Sequence, residues 1–156
     1  MMIGVIGGDP CSESEAVLAY ETGREIGGRG HTLVCGGRGG AMREACRGAR
    51  ERGGHTIGIL PGDSRAEANE FVEFAIPTGL GHARNLLVVR SADALVAIGG
   101  RYGTLSELAF ALIHGRPIAG LGTWELVDPG GQAAPVVPFD TPADAIDYCE
   151  QFATKE

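Results

Sequence analysis

Three short apolar runs in this chain each end in clustered glycine. MIGVI (2–6) runs into Gly7-Gly8, HTLVC (31–35) into Gly36-Gly37-Arg38-Gly39-Gly40, and ALVAI (94–98) into Gly99-Gly100-Arg101-Tyr102-Gly103-Thr104. Short apolar runs bounded by glycine read as buried strands, and the stretches between them carry the longer period of helices. Further strands are predicted at 56–60, 71–76, 117–121 and 136–137, with a polar loop at 63–70 and a Gly- and Pro-bearing loop at 122–135 that holds Trp124. The first helix starts at Ser12, with Glu15 three residues on as a capping-box partner, and ends near Gly27. The second, 40–52, sets Ala41, Ala45 and Ala49 on one face and Arg43, Arg47 and Arg50 on a solvated one. Helices follow at 81–91 and 105–114, and Thr141-Pro142 opens the last with an N-cap threonine and a proline at the first helical position.

Strands separated by helices of 10 to 15 residues specify an α/β fold of the Rossmann-like, doubly wound kind. Its sheet is mainly parallel with helices on both faces, expected here as one nucleotide- or phosphate-binding domain over residues 1–156. Ligands of such folds bind outside the carboxyl ends of the strands, where the three glycine clusters meet. Glycine makes up 26 of the 156 residues, about twice the usual ~7% share, so backbone must approach something closely. The second and third clusters lead straight into helices, whose first turns offer unpaired N–H groups to a phosphate. A nicotinamide dinucleotide is the obvious rival ligand, but GxGxxG is absent after the first strand and the second ends in Cys35 rather than an acidic residue.

Composition removes other classes. A net charge of −7 with no basic run argues against nucleic acid as partner. The longest strongly apolar run, Ala94 to Ile98, is far short of the ~20 residues a membrane helix needs. The only lysine is Lys155, which disfavours Schiff-base chemistry and a P-loop. Cys11, Cys35, Cys46 and Cys149 are scattered, as are the four histidines, so reduced thiols and no metal site are expected. The amino terminus resembles no signal peptide, and a cytoplasmic location follows. His82, close to Arg84, is left unassigned between lining the pocket and the blander role of capping or packing.

Thr104 and Glu107 fit a second T-x-x-E capping box, which would account for both without any function. Arg84 falls in the first turn of its helix, where the dipole disfavours a cation, so Glu107 or a ligand phosphate is expected beside it. The 105–114 helix is apolar almost all round and suggests a covering partner, a homo-oligomer such as a dimer or tetramer.

Gly36-Gly37-Arg38-Gly39-Gly40-Ala41-Met42, Arg84-Asn85 followed by Val89-Arg90-Ser91-Ala92-Asp93, and Gly99 to Thr104 with Glu107 together resemble the Lonely Guy-like superfamily of Rossmann proteins over nearly the whole chain. Its cytokinin-activating phosphoribohydrolases carry Pro-Gly-Gly-x-Gly-Thr-x-x-Glu and an Arg-Lys pair. The resemblance puts Arg84 at the arginine and Glu107 at the motif glutamate, the two catalytic residues if the chain is an enzyme cleaving an N-glycosidic bond. Three departures stand out: Ile98 for the proline, two residues between Gly100 and Gly103, and Asn85 for the lysine. They resemble the branch that includes molybdenum cofactor carrier proteins. The resemblance thus implies a carrier for a small phosphorylated ligand, a nucleotide or molybdenum cofactor, with no cofactor required for its own work. Gly7, Gly8, Gly36, Gly37, Gly39, Gly40, Met42, Arg84, Asn85, Gly99, Gly100, Arg101, Tyr102, Gly103, Thr104 and Glu107 are the expected ligand-binding residues.

Overall fold

The computed structural model describes residues 1–153; Lys155 lies outside them. Seven strands form one parallel sheet in the order β4-β3-β2-β1-β5-β6-β7. They are β1 (Met2–Gly7), β2 (Thr32–Cys35), β3 (His55–Leu60), β4 (Phe74–Pro77), β5 (Ala94–Ile98), β6 (Ile118–Leu121) and β7 (Val136–Pro138). Helices α1 (Glu13–Gly28), α2 (Gly40–Glu51) and α5 (Pro142–Phe152) cover one face, and α3 (Asn85–Ser91) and α4 (Tyr102–Ile113) the other. Successive strand residues point to opposite faces, and β5 divides accordingly: Ala94, Val96 and Ile98 enter the α1/α2/α5 core, Leu95 and Ala97 the α3/α4 core. All five are fully buried, as a central parallel strand requires.

Part of the glycine excess serves packing. A Cβ on Gly23 of α1 would collide with the Ala45 carbonyl of α2, and one on Gly48 of α2 with the Tyr20 carbonyl of α1. The two helix backbones therefore touch, a demand that helical glycines satisfy at a cost of about 1 kcal/mol each in propensity.

Several boundaries differ from expectation. Residues 71–73 are not strand: Asn69 ties this segment to the loop after β2, and the Thr56 hydroxyl donates to the Phe71 carbonyl while accepting from the Glu73 amide, so ladder pairing begins only at Phe74. The single helix expected over 81–91 is a 3-10 turn, Gly81–Arg84, followed by α3. The arginine face of α2 is not simply solvated; Arg43 pairs with Glu70, Arg47 with Glu44, and Arg50 with Glu73. The thiols scattered in sequence are free, but Cys35 and Cys46 Sγ meet at 3.6 Å. No helix among the described residues is long and apolar enough to cross a membrane.

α4 begins three residues earlier than the expected 105, and this changes the meaning of its first turn. Arg101 is the N-cap, in extended conformation and without a side-chain cap bond. Thr104 is thus the third helical residue and Glu107 lies in the second turn; the expected capping box does not form. α4 is also less enclosed than its composition suggested, since Leu108 and Ala111 are buried while Ile113 is 74% exposed.

Candidate functional site

The strand order reverses between β1 and β5, and parallel α/β sheets bind ligands in the crevice at that reversal. A cavity of about 410 Å³ lies there, at the carboxyl ends of the strands. Of the expected ligand-binding residues, Gly7, Gly8, Met42, Arg84, Asn85, Arg101, Gly103, Thr104 and Glu107 line it. Gly36, Gly37, Gly39, Gly40, Gly99 and Gly100 do not line it, and Tyr102 turns outward, 80% exposed beside Trp124 with ring centroids 6.2 Å apart. Five further residues line it: Asp9, Arg38, Pro61, Gly81 and His82. Arg38 sat inside the glycine cluster and His82 two residues from Arg84, so proximity to the motifs was the available signal for both. Asp9, Pro61 and Gly81 carry no comparable mark.

The two glycine-rich turns that lead into helices do different things. At α2 two amides are already used: Gly39 N–H donates to the Asp9 carboxylate at 3.1 Å and Ala41 N–H to the Gly8 carbonyl at 3.0 Å. These two bonds fasten this end of α2 to the loop after β1 and leave it fewer free donors than the sequence suggests. At α4 the first helical bond is Leu105 N–H to the Arg101 carbonyl at 2.9 Å. The amides of Tyr102, Gly103 and Thr104 precede it and meet no acceptor among the described residues. Gly103 and Thr104 face the cavity, so the positive end of α4 is open to an anion.

Arg84 enters from the other side. It ends the 3-10 turn and immediately precedes α3, where a backbone dipole opposes its charge. Its side chain is held between two neighbours: one guanidinium nitrogen donates to the Asn85 side-chain oxygen, the other to the Gly36 carbonyl at 3.4 Å. Gly36 is required for this contact, because a Cβ there would lie 2.6 Å from Arg84 Nη2. Asn85 in turn donates to Ser106 Oγ at 2.9 Å and to the Gly103 carbonyl at 3.5 Å. The asparagine that replaces a lysine thus joins Arg84 to the first turns of α4. Arg84 Nε is buried without a partner.

Glu107, 6% exposed, faces the same cavity one turn beyond Thr104, at the i,i+3 spacing that stacks side chains on one helix face. It forms no ion pair within 4.0 Å of Arg84, so the pair expected from sequence is not a simple salt bridge. Burial pushes its carboxyl up to about 8, and the Arg84 charge offsets only part of this. Burial also lowers the Arg84 pKa, against the attraction of Glu107 and Cys35. The floor of the cavity therefore presents a guanidinium, a hydroxyl, free amides and an acid that is mostly neutral at pH 7. Donors dominate, and an anion rich in oxygen acceptors complements them.

The comparisons with known proteins point in one direction. Residues 1–146 match the SLOG cluster4 family. The molybdenum cofactor binding protein of the phototrophic bacterium Rippkaea orientalis has the same fold, with a TM-score of 0.87 and 34% identity over 96% of this chain and 95% of that one. For the molybdenum cofactor carrier protein of Chlamydomonas reinhardtii the values are 0.83 and 38%, over 97% of both chains. The cytokinin riboside 5′-monophosphate phosphoribohydrolase of Mycobacterium tuberculosis is 34% identical over 116 residues, which are 69% of this chain and 62% of that protein. The chain thus matches less than two thirds of that relative's length.

Proposed function

Since the chain belongs to the SLOG cluster4 family of the Lonely Guy-like superfamily, we propose that it binds and carries a small phosphate-bearing ligand, a nucleotide or a phosphorylated pterin such as molybdenum cofactor. The observation that carries this reading is the uncapped first turn of α4 facing Arg84 across one cavity. The amides of Gly103 and Thr104 and the Thr104 hydroxyl hold the phosphate, and Arg84 pairs with it. Met42 and Arg38 border the ring or sugar from the α2 side. The volume, about 410 Å³, suits a ligand of nucleotide size. Titration calorimetry with adenosine 5′-monophosphate and with molybdenum cofactor tests the reading; saturable binding that weakens on Arg84→Ala or Thr104→Ala upholds it, and unchanged affinity counts against it.

A second reading is a nucleoside 5′-monophosphate phosphoribohydrolase. Arg84 and Glu107 lining one cavity favour it, as does the Mycobacterium tuberculosis relative. Arg84 would hold the substrate phosphate, and Glu107 would orient water or stabilise charge at the sugar carbon. Free base released from adenosine monophosphate or a cytokinin riboside monophosphate, and lost on Glu107→Gln, decides for it.

In either role the protein is proposed to act in the cytoplasm, where its four free thiols stay reduced, as a dimer or tetramer. Native mass spectrometry reads both the subunit number and any retained small molecule.

A further inference from the structure

We infer that Glu107 meets its ligand as a neutral carboxylic acid that donates a hydrogen bond to a ligand oxygen, so that binding is tied to one proton. This rests on the ligand-binding reading of the cavity and adds the protonation state through which it works. The geometry is specific. The Glu107 side chain is buried on the cavity floor, and no donor among the described residues bonds to its carboxyl. The charged and titratable groups around it are few. Arg84 comes from the 3-10 turn before α3, and Cys35 from the end of β2. Asp9, Arg38, His82 and Arg101 stand on the remaining walls.

Arg84 is the nearby cation, but the hydrogen bonds it gives go to Asn85 and the Gly36 carbonyl and none goes to Glu107. With no protein donor on its carboxyl and little exposure, Glu107 favours the neutral acid over the carboxylate. The direction of its pKa agrees. A phosphate lodged against Thr104 would bring a second negative charge close by and hold the proton on Glu107 more firmly still. Between Arg84 and Glu107 the cavity therefore offers one charged donor and one neutral donor. The matching ligand group carries two acceptor oxygens, as a phosphoryl or a ring carbonyl beside a phosphate does. An ammonium or other cation is the group this arrangement rejects.

The test joins a measurement on the free protein to one on binding. Infrared difference spectra against Glu107→Gln should contain a protonated-carboxyl C=O band at neutral pH that fades above about pH 8. Affinity for adenosine 5′-monophosphate should fall by up to about tenfold per pH unit from about pH 8 to about pH 10, a range in which the phosphate is already dianionic. Glu107→Gln, which has no proton to lose in this range, should show no such fall.

A missing band at neutral pH, a flat wild-type profile, or a slope that survives in Glu107→Gln each overturns the inference; the last assigns the proton to Cys35 or Arg84. Should inorganic phosphate and the nucleotide both fail to bind at every pH, the carrier reading falls, and the band then decides the state of Glu107 alone.

Discussion

Two places in this chain carry the same S/T-x-x-E spacing, and they come out as opposites. At α1 Ser12 is a true N-cap: its hydroxyl accepts from Glu15 N–H at 3.2 Å while the Glu15 carboxylate accepts from Ser12 N–H at 2.7 Å. At α4 the same spacing falls inside the helix, because Arg101 is the cap, and Thr104 and Glu107 face the crevice. The difference lies in what precedes each pattern. Ser12 is itself extended, at φ −71° and ψ 166°, and the helix begins only after it. Gly99 and Gly100 take φ of +50° and +98°, so the chain turns at once and the helix starts earlier. A capping box is thus settled by the turn before it as much as by its own residues.

Substitutions at four positions break or sharpen this contrast. The largest effect is expected for Glu107→Gln in stability against pH. The folded-state pKa is raised, so the native protein binds more protons than the unfolded chain between about pH 4 and pH 8, and wild-type stability falls as pH rises through that window. Denaturation curves should show Glu107→Gln gaining on the wild type across it, by about 5 kcal/mol in all. Arg84→Ala should weaken adenosine monophosphate binding by roughly fiftyfold, since a charge-assisted bond is removed. Thr104→Ala should cost about tenfold in affinity with little change in melting temperature, and Thr104→Ser should restore it. Ser12→Ala is the mirror image: about 1 kcal/mol lost in thermal unfolding and no change in affinity. A stability loss in Thr104→Ala equal to that in Ser12→Ala would erase the contrast.

The sheet was legible because parallel strands buried on both faces read as short apolar runs, and β5 is the plainest case. Strand order was not, since nothing local separates β1–β5 pairing from its alternatives. Thr104 and Glu107 could be picked out from their spacing, Arg84 from its place in a helix's first turn and Asn85 from the family resemblance, and all four line the cavity. Glycine was harder to read. It marks close approach without saying of what: Gly23 and Gly48 admit a neighbouring helix, Gly36 admits a guanidinium, and Gly103 alone among the α4 cluster reaches the cavity wall. The fastening of α2 by Asp9 was likewise invisible, because it joins residues 30 positions apart.

The pair Arg84-Asn85 spans the crevice like a clasp. One end grips the carbonyl of Gly36 on the β2 half of the sheet, and the other grips Gly103 and Ser106 on the β5 half. Because β1 is paired to both β2 and β5, the sheet itself stays closed, and what these two side chains tie together is the glycine turn after β2 and the first turn of α4, so a change at either residue is felt on both walls of the crevice.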